Sequence, residues 1–392
     1  MCVLIISYNK FPEGDAISIR EYTFGKIFSK MGYKVFFIGM GDTPCYDIGV
    51  FKGFEYTSLR INQNQSSLQK SLENYFGFKQ RLKQFITQYS AEDKIEAILV
   101  VNIPLNALFF IKRFAKKNKI YLIHDSVDWY SSEQFKLKRF DPLYILKELS
   151  YRIFIDKSFK VIAISKYLEN HFKSRGIETI RIPVIMDVNK LSCEKHTRED
   201  KLTILYAGTP GKRDYLKEVI NGISLLNSDE IEKIELRLIG FTLEQMKSDL
   251  DIDKNALNKI KNNINILGRV PREIVLENLK QADFTVLLRS PVQRYAKAGF
   301  PTKVVESLAS ATPVILNITS DLGDYITDMK QGLIVEECSS LAFCDAVRRA
   351  IKLTYQQKCD MYLESRKCAE KNFDYIKFEK QLSIFIFKNM KK

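Results

Sequence analysis

Val3-Leu4-Ile5-Ile6-Ser7-Tyr8-Asn9-Lys10-Phe11-Pro12-Glu13-Gly14-Asp15-Ala16 runs from an apolar stretch through a polar loop into a helical pattern that continues to about Met31. Lys34-Val35-Phe36-Phe37-Ile38-Gly39 then supplies a second apolar stretch. Short apolar runs bounded by turn residues mark strands buried on both faces, and a helix between two of them is the βαβ unit of a parallel sheet. The loop leads into a helix N-terminus, where Gly14 permits close backbone approach to a ligand, beside Asp15 and Ala16. It lacks GxGxxG, so dinucleotide binding is not supported.

Working outward, strands are predicted at Ala97 to Val101, Ile120 to His124, Val161 to Ser165 and Thr179 to Ile182, with helical segments between. The pattern lapses near 183–201 into a charged stretch without periodicity, read as a linker. It resumes at Thr203 to Ala207, Ile234 to Ile239, Ile264 to Leu267, Phe284 to Leu288, Pro313 to Leu316 and Leu333 to Val335. Two doubly wound α/β domains are expected, over 1–190 and 200–372, with a cleft between facing strand ends, since ligands in such sheets bind outside the carboxyl ends of strands. Phe378, Leu382, Phe385 and Ile386 stand at helical spacing in the last segment, 373–392.

Gly299-Phe300-Pro301-Thr302-Lys303-Val304-Val305-Glu306-Ser307-Leu308-Ala309-Ser310-Ala311-Thr312-Pro313-Val314-Ile315 joins a polar turn, a helix and a buried strand. Pro301 fixes φ at the helix start and Thr302 is placed to cap it, so the free N–H groups of the first turn suit a phosphate. Lys303 and Glu306 lie one turn apart on one face. A solvated Lys and Glu on an ordinary helix-strand unit is the competing reading.

This stretch resembles the donor-site motif of the family 4 retaining glycosyltransferases, enzymes of GT-B fold, in the branch that reads Phe-Pro-x-Lys-x-x-Glu. The resemblance implies two Rossmann-like domains, the first binding an acceptor and completed by the final helix, the second binding a UDP- or GDP-sugar. Glu306 falls on the Glu that binds the nucleotide ribose, Phe300 on the motif Phe, with Gly299, Thr302 and Lys303 beside them. Ala298 stands where the family's first Glu holds sugar hydroxyls, a departure from the pattern. Gly14 and Asp15 match a loop that approaches sugar or phosphate.

Tyr206-Ala207-Gly208-Thr209-Pro210-Gly211-Lys212-Arg213-Asp214 is a strand, a turn with Gly208, Pro210 and Gly211, and two cations opening a helix. It looks like the family's diphosphate loop, with Thr209 replacing the usual Arg and either Lys212 or Arg213 matching the Lys that follows. Gly268-Arg269-Val270-Pro271-Arg272-Glu273, before a helix from Glu273 to Gln281, is similar to the segment whose backbone reads the base edge, which points to Arg269 and Val270. Arg289, Arg294 and Lys297 are further cations in the loop before Gly299. His124 closes a predicted strand and matches a family His that touches the donor sugar, so His124, Lys303 and Glu306 are the catalytic candidates. Asp125, Asp128 and Trp129 are placed to meet an acceptor, Trp129 by stacking. Asp249-Leu250-Asp251-Ile252-Asp253 has metal-like spacing but reads better as a solvated acidic turn; no metal and no cofactor beyond the donor are expected.

The 392 residues leave room for about two domains, and 45% hydrophobic with 28% charged residues describes a soluble protein. Seven scattered cysteines and three histidines without ligand spacing speak against disulfides and zinc. No apolar run reaches the roughly 20 residues of a membrane span, and the N-terminus lacks a signal peptide's basic region, so a cytoplasmic location is expected. The formal charge is +14, most of it in the first half. Ile111-Lys112-Arg113-Phe114-Ala115-Lys116-Lys117-Asn118-Lys119 and Phe135-Lys136-Leu137-Lys138-Arg139-Phe140 mix cations with large apolar groups, as at an anionic membrane surface; a solvated face competes. A metal-independent hexosyltransferase is the preferred reading. It would move a sugar to a glycan or lipid-linked acceptor in cell-surface polysaccharide biosynthesis, in peripheral contact with the membrane and without nucleic acid. Its rivals are a GT-B epimerase of the nucleotide sugar and a non-enzymatic protein that binds nucleic acid or an anionic surface.

Overall fold

The computed structural model describes residues 1–12, 16–61, 67–209, 213–249 and 252–387. The chain divides into two compact units, Met1–Met186 with Tyr375–Lys392, and Asp187–Asp374.

In the first unit the strands are β1 (Cys2–Ser7), β2 (Lys34–Gly39), β3 (Ile48–Phe51), β4 (Phe54–Ser58), β5 (Ile95–Val101), β6 (Tyr121–Ser126), β7 (Lys160–Ala163) and β8 (Thr179–Arg181). They form one sheet in the order β3-β4-β2-β1-β5-β6-β7-β8, parallel except for the antiparallel β3–β4 pair. Every residue of β1 is buried, which explains its unbroken apolar sequence. The β3–β4 hairpin turns at Lys52 and Gly53, both at positive φ (48° and 88°), the backbone of a tight two-residue turn. The last segment is a short 3-10 turn, Tyr375–Phe378, and a helix, Glu379–Phe387. It packs on the first unit: Phe387 stacks on Tyr33 at 4.8 Å, and Lys26 lies over the Tyr375 ring at 4.1 Å.

The second unit holds β9 (Leu202–Ala207), β10 (Ile234–Ile239), β11 (Ile264–Gly268), β12 (Phe284–Leu287), β13 (Val314–Leu316) and β14 (Gly332–Ile334). Their order is β11-β10-β9-β12-β13-β14, all parallel. Along β9, Ile204 and Tyr206 join a core with Leu236, Leu238, Phe284 and Val286, while Leu205 joins the opposite face with Ile239, Leu279 and Ala282. Both faces are covered, each fully buried Leu, Ile or Phe contributing roughly 1.5–3 kcal/mol.

The order places the site. From β9 the chain steps to β10 and β11 on one side, then returns to β12 and steps the other way. Such a reversal leaves a crevice beyond the carboxyl ends of the two strands that flank it, here β9 and β12.

Candidate functional site

The crevice is shaped first by backbone. At the end of β9, Gly208 has φ +148° and donates its N–H to Ile239 at 2.9 Å; Gly240 has φ +114° and donates to Gly268 at 2.7 Å. A Cβ on Gly208 would lie 2.8 Å from Lys303 Nζ, and one on Gly240 would lie 2.4 Å from the Gly208 carbonyl oxygen. Glycine is therefore required at Gly240 by backbone angle and by space, and favoured at Gly208 by its backbone angle. Gly240→Ala is expected to cost about 3 kcal/mol, the unfavourable φ and the overlap with fixed backbone each contributing 1–3 kcal/mol. Urea unfolding measures this, and an unchanged midpoint would contradict the close approach.

An ionic cluster sits beside this turn. Asp214 is 8% exposed, and its carboxylate accepts from Lys303 Nζ at 2.6 Å, Arg289 Nε at 2.8 Å and the Tyr206 hydroxyl at 2.9 Å. Lys303 Nζ also lies 4.3 Å above the Tyr206 ring. Arg289 is fixed through its main chain, its N–H donating to Asn317 Oδ1 at 2.9 Å and its carbonyl accepting from Asn317 Nδ2 at 2.7 Å. A β-bridge joins Asp214 to Arg289. Burial alone would raise the Asp214 carboxyl, but Lys303 and Arg289 outweigh it and hold the group well below the usual carboxylate range. Burial pushes the Lys303 ammonium below the usual lysine range, with Asp214 pulling it back. Burial and Asp214 raise the Tyr206 phenol, which stays a donor. Two cations on one carboxylate leave a net positive charge at the strand ends.

Lys303 opens onto a cavity of about 350 Å³ whose lining includes Gly208, Thr209, Gly240, Arg269, Val270 and Glu306. Of the residues expected from sequence, it therefore brings together Thr209, Arg269, Val270, Lys303 and Glu306. Lys303 and Glu306 share the helix Thr302–Ala309 but turn to different partners, Glu306 Oε1 accepting from Arg272 Nη2 at 2.6 Å. Arg269 and Thr209 are exposed.

Other expectations are corrected. Thr302 does not cap the helix: it is the first helical residue, and Pro301 occupies the cap position without a side-chain bond. Phe300 is 6% exposed and packs on Tyr325 (5.6 Å between centroids) and Phe373 (5.8 Å), so it serves the core. Gly299 is half-buried in extended backbone between two helices and does not line the cavity. Arg213 lies over the Tyr295 ring at 5.5 Å, also off the lining. Arg294 and Lys297 belong to a short helix, Arg294–Ala298, and not to a loop; Ala298 is fully buried. Gly14, Asp15 and Lys212 lie outside the described residues, as do Asp251 and the side chain of Asp249. Asp253 caps the helix Lys254–Ile260, accepting from the Asn255 N–H at 2.9 Å.

In the first unit, β6 runs two residues past His124, which is thus inside the strand and not at its end. The imidazole is 5% exposed among Tyr151, Phe159 and Phe172, at 5.8, 6.4 and 6.3 Å between centroids. Burial lowers its pKa to about 3, so it is neutral. The catalytic role expected of His124 is left with almost no exposed surface to act through. Asp125 is fully buried in a bidentate pair with Arg20, at 2.8 and 2.9 Å. Trp129, 4% exposed, donates from Nε1 to Glu148 at 2.8 Å and stacks on Tyr151, so its face is not offered to a sugar.

Asp214 was missed by sequence reasoning. Its partners Arg289 and Lys303 lie 75 and 89 positions away, and in the sequence only an acid soon after Pro210-Gly211 hinted at it.

Residues 188–367, nearly all of the second unit, match the family model of glycosyl transferases group 1. Over the whole chain the fold is that of GT-B glycosyltransferase structures. The sucrose-phosphate synthase of Thermosynechococcus elongatus superposes with a TM-score of 0.78 at 13% identity, covering 99% of both chains. WaaG, a glycosyltransferase involved in lipopolysaccharide biosynthesis, gives 0.68 at 14% identity over 98% of this chain and 99% of that one. Anabaena HepE, solved in complex with UDP and glucose, gives 0.66 at 14% identity over 98% of each. No curated protein sequence matches significantly. Fold and domain match together support a glycosyltransferase.

Proposed function

We propose that the chain is a retaining, metal-independent hexosyltransferase that moves a sugar from a UDP- or GDP-sugar to a glycan or lipid-linked saccharide in cell-surface polysaccharide biosynthesis. The observation that carries this is the Lys303–Asp214–Arg289 cluster at the mouth of a cavity at the β9/β12 reversal. When the anomeric C–O bond of a nucleotide sugar breaks, negative charge grows on the departing diphosphate. Cations held in place beforehand stabilise that charge without reorganising. Lys303, anchored by Asp214 beneath Gly208, has this property. Gly208 and Thr209 bring bare backbone to the same wall, where a diphosphate would lie. Glu306, one helical turn from Lys303, would accept from ribose hydroxyls, and Arg269 with Val270 would border the base. Among the described residues the carboxylate on the lining is Glu306, and it is engaged by Arg272 at 2.6 Å and assigned to the ribose, which favours attack from the face the diphosphate is leaving over a covalent nucleophile.

The second unit is thus the donor domain, and the first, with its terminal helix, the acceptor domain. A cytoplasmic protein in peripheral contact with an anionic membrane fits a lipid-linked acceptor. HepE's bound UDP makes UDP the first nucleotide to test. Saturating UDP or GDP at about a hundred times Kd should stabilise the fold by about 2.7 kcal/mol, a rise of several degrees in Tm. Glu306→Ala should weaken binding by about 1.5–3 kcal/mol, or roughly 10- to 100-fold. Melting curves unmoved by either nucleotide would sink the donor site, and turnover of the nucleotide sugar without acceptor would replace the transferase with an epimerase.

A further inference from the structure

One face of the first unit breaks the usual rule for a water-facing helix. The helix Pro142–Leu149 continues as a wider turn, Ser150–Phe154. Its inner side is held by aromatic contacts: Tyr151 stacks on Trp129 at 5.4 Å and donates its hydroxyl to the Asp128 carbonyl at 2.6 Å, and Phe135 packs on Tyr144 at 5.5 Å. The opposite arc should be polar. Instead Leu143, Ile145 and Ile153 are 48, 43 and 58% exposed. Just before the helix, Leu137 and Phe140 are 62 and 77% exposed. Phe109, on the neighbouring helix Leu105–Asn118, is 40% exposed and meets Phe154 edge-on at 6.3 Å, which extends the patch.

Cations surround this apolar surface. Lys136, Lys138 and Arg139 alternate with Leu137 and Phe140, all of them exposed. Arg113 lies over Phe109 at 4.3 Å, with Lys116 and Lys117 further along the same exposed helix side. Lys116 also borders a hollow of about 740 Å³ whose lining carries Lys157, Arg175 and Lys112, the last paired with Asp156. Between Phe135 and Lys147 the only acid is Asp141, which caps the helix by accepting from the Leu143 N–H.

From this juxtaposition we propose that the exposed apolar groups of 137–153 and their rim of Lys and Arg form a docking face for an anionic lipid bilayer. Apolar tips would enter the acyl boundary while the long cationic side chains reach lipid phosphates. Charge complementarity selects this occupant. A nucleic acid would be met by the cations but not by Phe140 and Leu137, and protein interface cores are poor in lysine. No helix among the described residues is long and apolar enough to cross a membrane, so the contact is a surface one. The face deepens the membrane contact in the proposed function and rests on that reading only for its purpose, not for the binding itself.

The test is co-sedimentation of the full chain, without donor, with vesicles of phosphatidylcholine alone or mixed with phosphatidylglycerol. Binding is expected on the mixed vesicles, weakening as salt rises. Leu137→Ser with Phe140→Ser should lower the partition coefficient at least about tenfold, since each side chain stops burying a large apolar area. Lys136→Glu with Arg139→Glu should bring binding on mixed vesicles down to the level on phosphatidylcholine. Both pairs are exposed and should keep the wild-type Tm, which separates lost docking from lost folding. Equal sedimentation with both vesicle types, unaltered sedimentation of both variants, or a dimer in solution that the Leu137/Phe140 variant dissolves would each overturn the proposal. Vesicle binding by a chain with no nucleotide affinity would support this face while sinking the donor site.

Discussion

Asp214→Asn is expected to destabilise the second unit by about 3 kcal/mol and to lower sugar transfer by roughly 10- to 100-fold. The carboxylate is nearly enclosed and answers two cations at once, Lys303 at 2.6 Å and Arg289 at 2.8 Å. The amide keeps the shape but not the charge, and its NH₂ must face one of those donors. Lys303 then loses the contact that aims it at the cavity while its ammonium stays in place. Lys303→Met removes the cation itself and should cost more, about 10²- to 10³-fold in rate, because the growing diphosphate charge is then unmet. The pH dependence identifies the cause. The Asp214 carboxyl is held below its unfolded value of about 3.9, so its stabilisation is complete above that value and is lost as pH falls toward the folded value. The gap in unfolding free energy between wild type and Asp214→Asn should thus be constant from neutral pH to about pH 5 and shrink below pH 4. A gap independent of pH down to pH 3, or full activity in Asp214→Asn, would remove Asp214 from the role assigned to it.

Asp214 also shows where sequence reading stops. The strands of both sheets were legible because burial on both faces leaves unbroken apolar runs: Lys34–Gly39 and Ile234–Ile239 fall where the sequence puts them. The β3–β4 hairpin was not legible. β3, the edge strand, alternates exposed and half-buried positions, β4 is buried only at its last two residues, and Lys52 is an unusual residue for the positive φ of the turn. On the cavity lining, Lys303 and Glu306 were readable from a helix start, whereas Thr209, Arg269 and Val270 were reached through the resemblance to the family's motifs. The buried pairings were not, since periodicity cannot tell a charged residue in solvent from one that meets a partner far away in sequence. His124 and Asp125 are neighbours on one strand, and nothing local says that one enters an aromatic core and the other a buried ion pair. A strand that ends two residues later than expected is enough to carry His124 from the end of the sheet to its interior.

That buried ion pair in the first unit provides a second large effect: Arg20→Met should cost about 3–5 kcal/mol. Arg20, on the helix Ala16–Lys30, is nearly inaccessible and binds both oxygens of Asp125, with side chains 4% and 0% exposed. The same guanidinium donates to the carbonyls of Pro183 and Ile182, the latter at 3.1 Å, so one side chain ties the first helix, β6 and the end of β8's connection together. Methionine fills similar space but leaves a carboxylate in a dry interior with two carbonyls unanswered. In the wild type, burial already pushes the Asp125 carboxyl up against the downward pull of Arg20. Without Arg20 the carboxyl rises further still above its unfolded value. A raised acid contributes stability below its unfolded value and loses it as pH climbs, so the Arg20→Met deficit should be largest at neutral pH and shrink toward pH 4. Adding Asp125→Leu to Arg20→Met removes the stranded charge and should restore most of the lost stability, because a buried pair replaced whole by apolar groups is often neutral. Should the double variant melt no higher than Arg20→Met alone, the cost would lie in the lost carbonyl contacts and not in the uncompensated carboxylate.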